Sequence, residues 1–175
     1  HLAEQIAEVE EIEAAYGKRP VEFVLDTMEL NDRRCFIHCT QMLPHETEGL
    51  AKSGAIAGLC PITESSLGDG IFDGVRWLEN CGSIAIGSDS NIRISLSEEL
   101  RTLDYSQRLR DHSRAALATP DKSTGRRLLD ARADGRRPGV LLDLPAGAMP
   151  RRASRSAAGP TRCPVTRCWP STTAG

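Results

Sequence analysis

Three short runs of β-forming residues, at 33–40 (RRCFIHCT), 55–61 (AIAGLCP) and 83–89 (SIAIGSD), are separated by stretches whose apolar residues recur at helical spacing. This alternation is the tightest constraint on the fold. Short apolar runs without strict polar alternation read as strands covered on both faces, and strands joined through helices pair in parallel. The pattern therefore predicts an α/β protein built on a parallel sheet. Residues 3–16 carry Ile6, Val9, Ile12 and Glu13 at helical intervals before Gly17, a stop signal, so a helix is expected directly after His1. Pro20 opens a second helix with Val21, Val24, Leu25 and Met28 on one face. Further helices are expected over 46–52, 74–80 and 97–117, the last capped by Ser97 with Glu98 and Glu99 facing its N-terminal dipole.

The expected strand ends fall near His1, His38, Pro61 and Asp89, at intervals of 37, 23 and 28 residues. A (β/α)8 barrel of about 250 residues averages about 31 residues per unit, so the chain accommodates four such units. A doubly wound sheet has similar spacing, but the glycine-rich strand-to-helix loop of dinucleotide-binding folds is missing. His1, His38 and Asp89 stand at carboxyl ends of strands, the face on which barrels gather their reactive groups. Taken singly, His38 also fits a hydrogen-bonded core histidine and Asp89 a turn residue; their regular placement is what favours chemistry.

Charge divides the chain in two. Residues 1–120 hold 11 Lys+Arg against 20 Asp+Glu, whereas residues 121–175 hold 11 against 4. Six of the ten prolines follow Arg137, and hydrophobic periodicity fades with them. Residues 131–175 are accordingly expected to be an irregular Arg/Pro/Ala-rich tail, disordered or the product of a reading-frame change, set apart from a folded unit over 1–130. The tail has no interleaved aromatics or recognisable module, which disfavours nucleic acid as a partner, although a non-catalytic module with a basic nucleic-acid-binding tail is the alternative of a different class. No run approaches the roughly 20 apolar residues of a membrane span and no leader pattern opens the chain, so no membrane partner and a cytoplasmic location are expected. The six cysteines include no CxxC pair. Cys35 and Cys39, about 13 Å apart on one extended strand, cannot bridge each other, and the scattered spacing suits buried free thiols.

Several strings carry a family resemblance. His1-Leu2-Ala3-Glu4 resembles the H-x-x-E element after the fifth strand of amidohydrolase-superfamily deaminases, Ile37-His38-Cys39-Thr40 their sixth-strand histidine, and Gly87-Ser88-Asp89-Ser90 their eighth-strand aspartate. The stretches GLCPITE (58–64), LGDGIF (67–72), EELR (98–101) and YSQRL (105–109) are similar to formimidoylglutamate deiminases in particular. The resemblance covers roughly residues 1–130 and implies a partial TIM-type barrel, strands five to eight with their helices. It departs from the family at Gln41 and Asn91, where histidines are expected.

The resemblance implies one Zn2+ per site, held by His1 and Asp89 together with a first-strand H-x-H pair that this sequence does not contain. It also implies catalytic roles for Glu4, His38 and Asp89: Asp89 would take the proton of an attacking water, Glu4 would relay protons to the substrate nitrogen, and His38 would polarise or hydrogen-bond the attacking oxygen and the developing tetrahedral centre. The substrate would be a small molecule, N-formimino-L-glutamate, hydrolysed in histidine degradation to N-formyl-L-glutamate and ammonia. The nearest alternative is another deaminase of the superfamily acting on a nucleobase or related amidine. Full-length members are expected to be homo-oligomers, and the chain alone is expected to be inactive.

Overall fold

The computed structural model describes residues 1–133 of the 175-residue chain. Three parallel strands, β1 (Cys35–Ile37), β2 (Ile56–Leu59) and β3 (Ser83–Ile86), lie in the order β1-β2-β3. Their registers pair Cys35 with Ile56 and Ile56 with Ser83. A parallel bridge between Leu2 and His38 extends the sheet beyond β1. Leu2 N–H donates to Ile37 O and Cys39 N–H to Leu2 O, both at 3.1 Å. The segment beside His1 is thus a single bridge rather than a strand, and the first helix begins at Ile6, three residues later than the Ala3 start expected from sequence.

Helices connect the strands as the alternation predicts. α1 (Ile6–Tyr16) and α2 (Pro20–Thr27) lead from the bridge to β1, and α3 (Pro44–Lys52) joins β1 to β2. α4 (Pro61–Leu67) and α5 (Gly74–Glu79) join β2 to β3, which is followed by α6 (Leu96–Asp111) and α7 (Thr124–Ala133). Three of these helices start in a related way. Pro20, Pro44 and Pro61 each occupy a position where a missing N–H costs nothing, and a glutamate one turn in folds back onto the amide just ahead. Glu22 accepts from Arg19 N–H at 3.2 Å, Glu46 from Leu43 N–H at 2.6 Å and Glu64 from Cys60 N–H at 2.7 Å. Glu46 is fully buried and also takes Arg19 Nε–H at 3.0 Å, an ion pair that clamps α2 to α3.

The α6 start differs from the expected one. Leu96 is already helical and Ser95, in extended conformation, is the cap, although its side chain makes no capping bond. The two serine hydroxyls contact each other at 3.1 Å instead. The same helix stops at Asp111 rather than Leu117, because His112 turns left-handed at φ 50° and closes it by donating to Arg108 O. α4 and α7 are additional to the expected helices; α7 crosses residue 130, and the tail beyond 133 lies outside the described residues.

The core forms where the sheet meets its helices. Ala57 and Leu59 of β2, Ile84 and Ile86 of β3, Val21 and Leu50 are buried, as are Trp77, Leu103 and Leu117. β1 departs from the two-faced burial expected of it: Cys35 is exposed, Phe36 and Ile37 are half-buried, and only a single bridge covers its outer edge among the described residues. Cys39 and Cys60 are buried free thiols as expected. On α1 only Val9 is buried, while Ile6 is 62% exposed, so its apolar stripe is only partly used.

Trp77 anchors the β3 side. Its ring meets Phe72 edge-on at 5.5 Å, its Nε1–H donates to Ser83 O at 3.1 Å, and Gly82 lies against it. A Cβ added at Gly82 would stand closer to the Trp77 ring than real contacts allow, and a fully buried indole cannot retreat. Gly82→Ala is therefore expected to destabilise the chain by about 1–3 kcal/mol through overpacking. Urea unfolding followed by circular dichroism measures this as a lowered midpoint; an unchanged midpoint would show that the indole has room to move.

Candidate active site

The carboxyl ends of the strands converge on His38. This residue is fully buried, one position past β1, and its backbone N–H donates to Gly58 O at 2.8 Å, continuing the sheet ladder. Glu4 approaches from the bridge segment, with Oε1 3.6 Å from His38 Nε2. Its own backbone carbonyl is held by the Thr40 hydroxyl at 2.5 Å. Asp89, three residues past β3, brings Oδ2 to 4.0 Å from the same nitrogen. His1 stacks edge-on against His38 with ring centroids 4.8 Å apart and places Nδ1 3.3 Å from Glu4 Oε2. The four residues singled out from sequence are thus drawn together at one end of the sheet, although they span 89 positions of chain.

The backbone at this rim is unusual. Ala3, His38, Cys39 and Asp89 have φ of 49°, 72°, 54° and 52°, the left-handed region that L-residues with side chains rarely enter. Strain of this kind persists where surrounding structure enforces it and clusters at functional sites. Here the enforcing contacts are visible for the first three: the bridge to Leu2, the Thr40 hydroxyl on Ala3 O at 3.2 Å, and Gln41 N–H on Ala3 O at 2.9 Å.

Electrostatics at His38 pull in opposite directions. Burial disfavours the imidazolium, but a hydrogen bond to Glu64 and the charges of Glu4, Glu64 and Asp89 outweigh it, and the net effect lifts the His38 pKa above its ordinary value. Glu64 was not among the residues marked from sequence. It is buried on α4 with Oε1 3.2 Å from His38 Nδ1. Its sequence signals are a glutamate one turn after a strand-ending Cys-Pro and its place in the GLCPITE string. Burial pushes the neighbouring Cys60 thiol up to about 12, so it stays protonated and is no nucleophile at neutral pH.

The two departures from the family pattern find partners nearby. The Gln41 side chain donates to Asp69 O, and Asn91 Oδ1 accepts from Arg93 N–H at 2.9 Å. Gln5 Nε2 donates to Asp69 Oδ1 at 3.1 Å, so the LGDGIF segment is tied to the rim at both sides of Glu4.

Donor chemistry at the site suits a small divalent cation. His1, Glu4 and His38 each offer one nitrogen or oxygen within 4.8 Å of the others, whereas Asp89, the ligand expected beside His1, is not in that group and comes within 4.0 Å of His38 Nε2. His38 Nε2, on a fully buried ring, has no hydrogen-bond partner, and so the polar centre of the cluster is left unsatisfied by protein atoms. The His1 side chain is 62% exposed, because little of the described chain covers that side.

No protein-family model matches this chain. The chain is 45% identical over 132 residues to formimidoylglutamate deiminase of Pseudomonas aeruginosa, a match covering 75% of this chain and 29% of that protein. A crystal structure of an amidohydrolase from Brucella melitensis superposes with a TM-score of 0.73 at 51% identity, over 75% of this chain and 29% of the other. A zinc-bound adenosine deaminase from Xanthomonas campestris gives 0.62 at 27% identity, over 67% and 27% respectively. The chain therefore spans under a third of the length of these relatives. Shared sequence across the folded region and a shared arrangement of parallel strands and helices make the chain a member of the amidohydrolase superfamily, related over this segment to formimidoylglutamate deiminase.

Proposed function

We propose that these residues form part of the active site of a zinc-dependent deiminase that hydrolyses N-formimino-L-glutamate to N-formyl-L-glutamate and ammonia in histidine degradation, with the bridge segment at Leu2 serving as the fifth strand of a barrel and β1, β2 and β3 as the sixth to eighth. The observation that carries the reading is the convergence of Glu4, His38 and Asp89 on one point at the carboxyl ends of the strands. Identity to formimidoylglutamate deiminase supports the choice of substrate.

His1 and Asp89 would hold the metal, which when bound supplies a Lewis acid that brings the pKa of water near about 7. The protein's own groups handle the protons. Asp89, whose side chain is partly exposed, accepts the proton of the attacking water. As water adds to the amidine carbon, the electron pair of the carbon–nitrogen double bond moves to nitrogen, and His38 Nε2 is the atom that hydrogen-bonds the attacking oxygen and the tetrahedral centre that forms. Glu4 lies between His1 and His38 and delivers protons to the substrate nitrogen. The carbon–nitrogen bond then breaks, ammonia leaves, and the formyl carbonyl remains. Each transfer needs hydrogen-bond reach between partners, which the crowding of the three side chains around His38 supports.

The test is an ammonia assay with zinc and N-formimino-L-glutamate, run on the 175-residue chain alone and on the chain co-expressed with the barrel segment that it lacks relative to the Pseudomonas aeruginosa protein. Ammonia and N-formyl-L-glutamate are expected from the assembled preparation, with little zinc retained and no product from the chain alone. An assembled, zinc-loaded preparation that ignores this substrate would end the assignment. The likeness to an adenosine deaminase favours one second reading, a deaminase of an aminated heterocycle, and adenosine-type substrates in the same assay discriminate the two.

A further inference from the structure

We propose that Glu64 is a positioning residue for His38: its carboxylate holds the imidazole in one orientation with the hydrogen on Nδ1, so that Nε2 is the atom presented to Glu4 and Asp89. The inference rests on the deiminase reading for its functional meaning and adds a residue to it.

The geometry leaves Glu64 little choice. It is 4% exposed, one turn into α4, and its Oε1 is held at 2.7 Å by Cys60 N–H while lying 3.2 Å from His38 Nδ1. Its own N–H returns to Cys60 O at 2.9 Å, so carboxylate and backbone are both fixed to the end of β2. An ionised carboxylate can only accept hydrogen bonds, so the ring nitrogen facing it must carry the hydrogen. The hydrogen bond made by one ring nitrogen sets the state of the other. With Nδ1 engaged, Nε2 is an acceptor when the ring is neutral and a donor when it is protonated, and it points to the two carboxylates 3.6 and 4.0 Å away. Nε2 also has no hydrogen-bond partner despite complete burial of the ring, as expected of an atom kept for a ligand.

β2 lies between β1 and β3, so a helix springing from its end is well placed to support the neighbouring strand's histidine from below. Loss of that support would let the ring rotate about its own bonds. Both its orientation and its hydrogen placement would then become mixed.

The tautomer can be read directly. Long-range proton–nitrogen spectra of the 15N-labelled 175-residue chain, recorded where the rings are neutral, distinguish a hydrogen-bearing ring nitrogen from a bare one, and His38→Asn identifies the His38 signals by their loss. The wild-type chain is expected to show hydrogen on Nδ1 and a bare Nε2. Glu64→Leu, which removes the acceptor, is expected to shift His38 to a mixture or to the Nε2-bearing form, and Glu64→Gln, which keeps a carbonyl acceptor, to retain the wild-type pattern. A wild-type His38 with hydrogen on Nε2, or a Glu64→Leu chain with an unaltered tautomer, overturns the proposal. Should Glu64→Leu fail to fold, the wild-type spectrum alone decides. The measurement needs neither zinc nor substrate, so Glu64 can fail as a positioning residue while the deiminase reading stands, and the reverse.

Discussion

Replacing Asp89 with asparagine is expected to slow ammonia release from N-formimino-L-glutamate by about 10²–10⁴-fold, the range associated with losing a positioned proton-transfer group. The comparison belongs in a zinc-loaded polypeptide that joins these residues to the rest of the barrel. Asparagine is the informative choice because Asp89 sits at φ 52°, a conformation that asparagine also tolerates, and because the two side chains are nearly the same size. What changes is charge: the carboxylate 4.0 Å from His38 Nε2 can take a proton, and the amide cannot. The turnover number is expected to collapse while the far-ultraviolet circular dichroism spectrum stays as it was. Near-normal turnover would remove Asp89 from the proton path.

The second large effect is on stability. Trp77→Ala is expected to cost about 3–5 kcal/mol, the range for emptying a buried indole site. Trp77 is fully buried, packs on Phe72 and is hydrogen-bonded to the first residue of β3, so its removal both opens a cavity and leaves Ser83 O without that donor. Domains have only about 5–15 kcal/mol of net stability, so the loss is a large share of the whole. Urea denaturation should show a markedly lowered midpoint or an unfolded chain at zero urea. A shift below about 1 kcal/mol would mean that the surrounding helices collapse into the gap.

The two effects bracket what a linear reading of the chain can reach. β2 and β3 were legible because Ile56–Leu59 and Ser83–Ile86 are short apolar runs, and each is buried over its last three residues as such runs predict. β1 was legible as a strand but not in its burial, because cover on a strand depends on neighbours rather than on its own residues. α4 escaped notice since its opening Pro61 also reads as a strand terminator, and only the fold-back of Glu64 onto Cys60 shows that a helix has begun. His38 and Asp89 could be marked from strand-end placement alone. Glu64 could not: its partner lies 26 residues away, and nothing local in PITESSL indicates which strand end α4 will support.

The positive-φ rim has a consequence for durability. A polypeptide shaped only to persist would place glycine or asparagine where the backbone is forced into its mirror-hand conformation, yet this one keeps a histidine, a cysteine, an alanine and an aspartate there. Robustness and reactivity thus compete for the same few positions, and the sturdiest version of this framework would be one that has given up its chemistry.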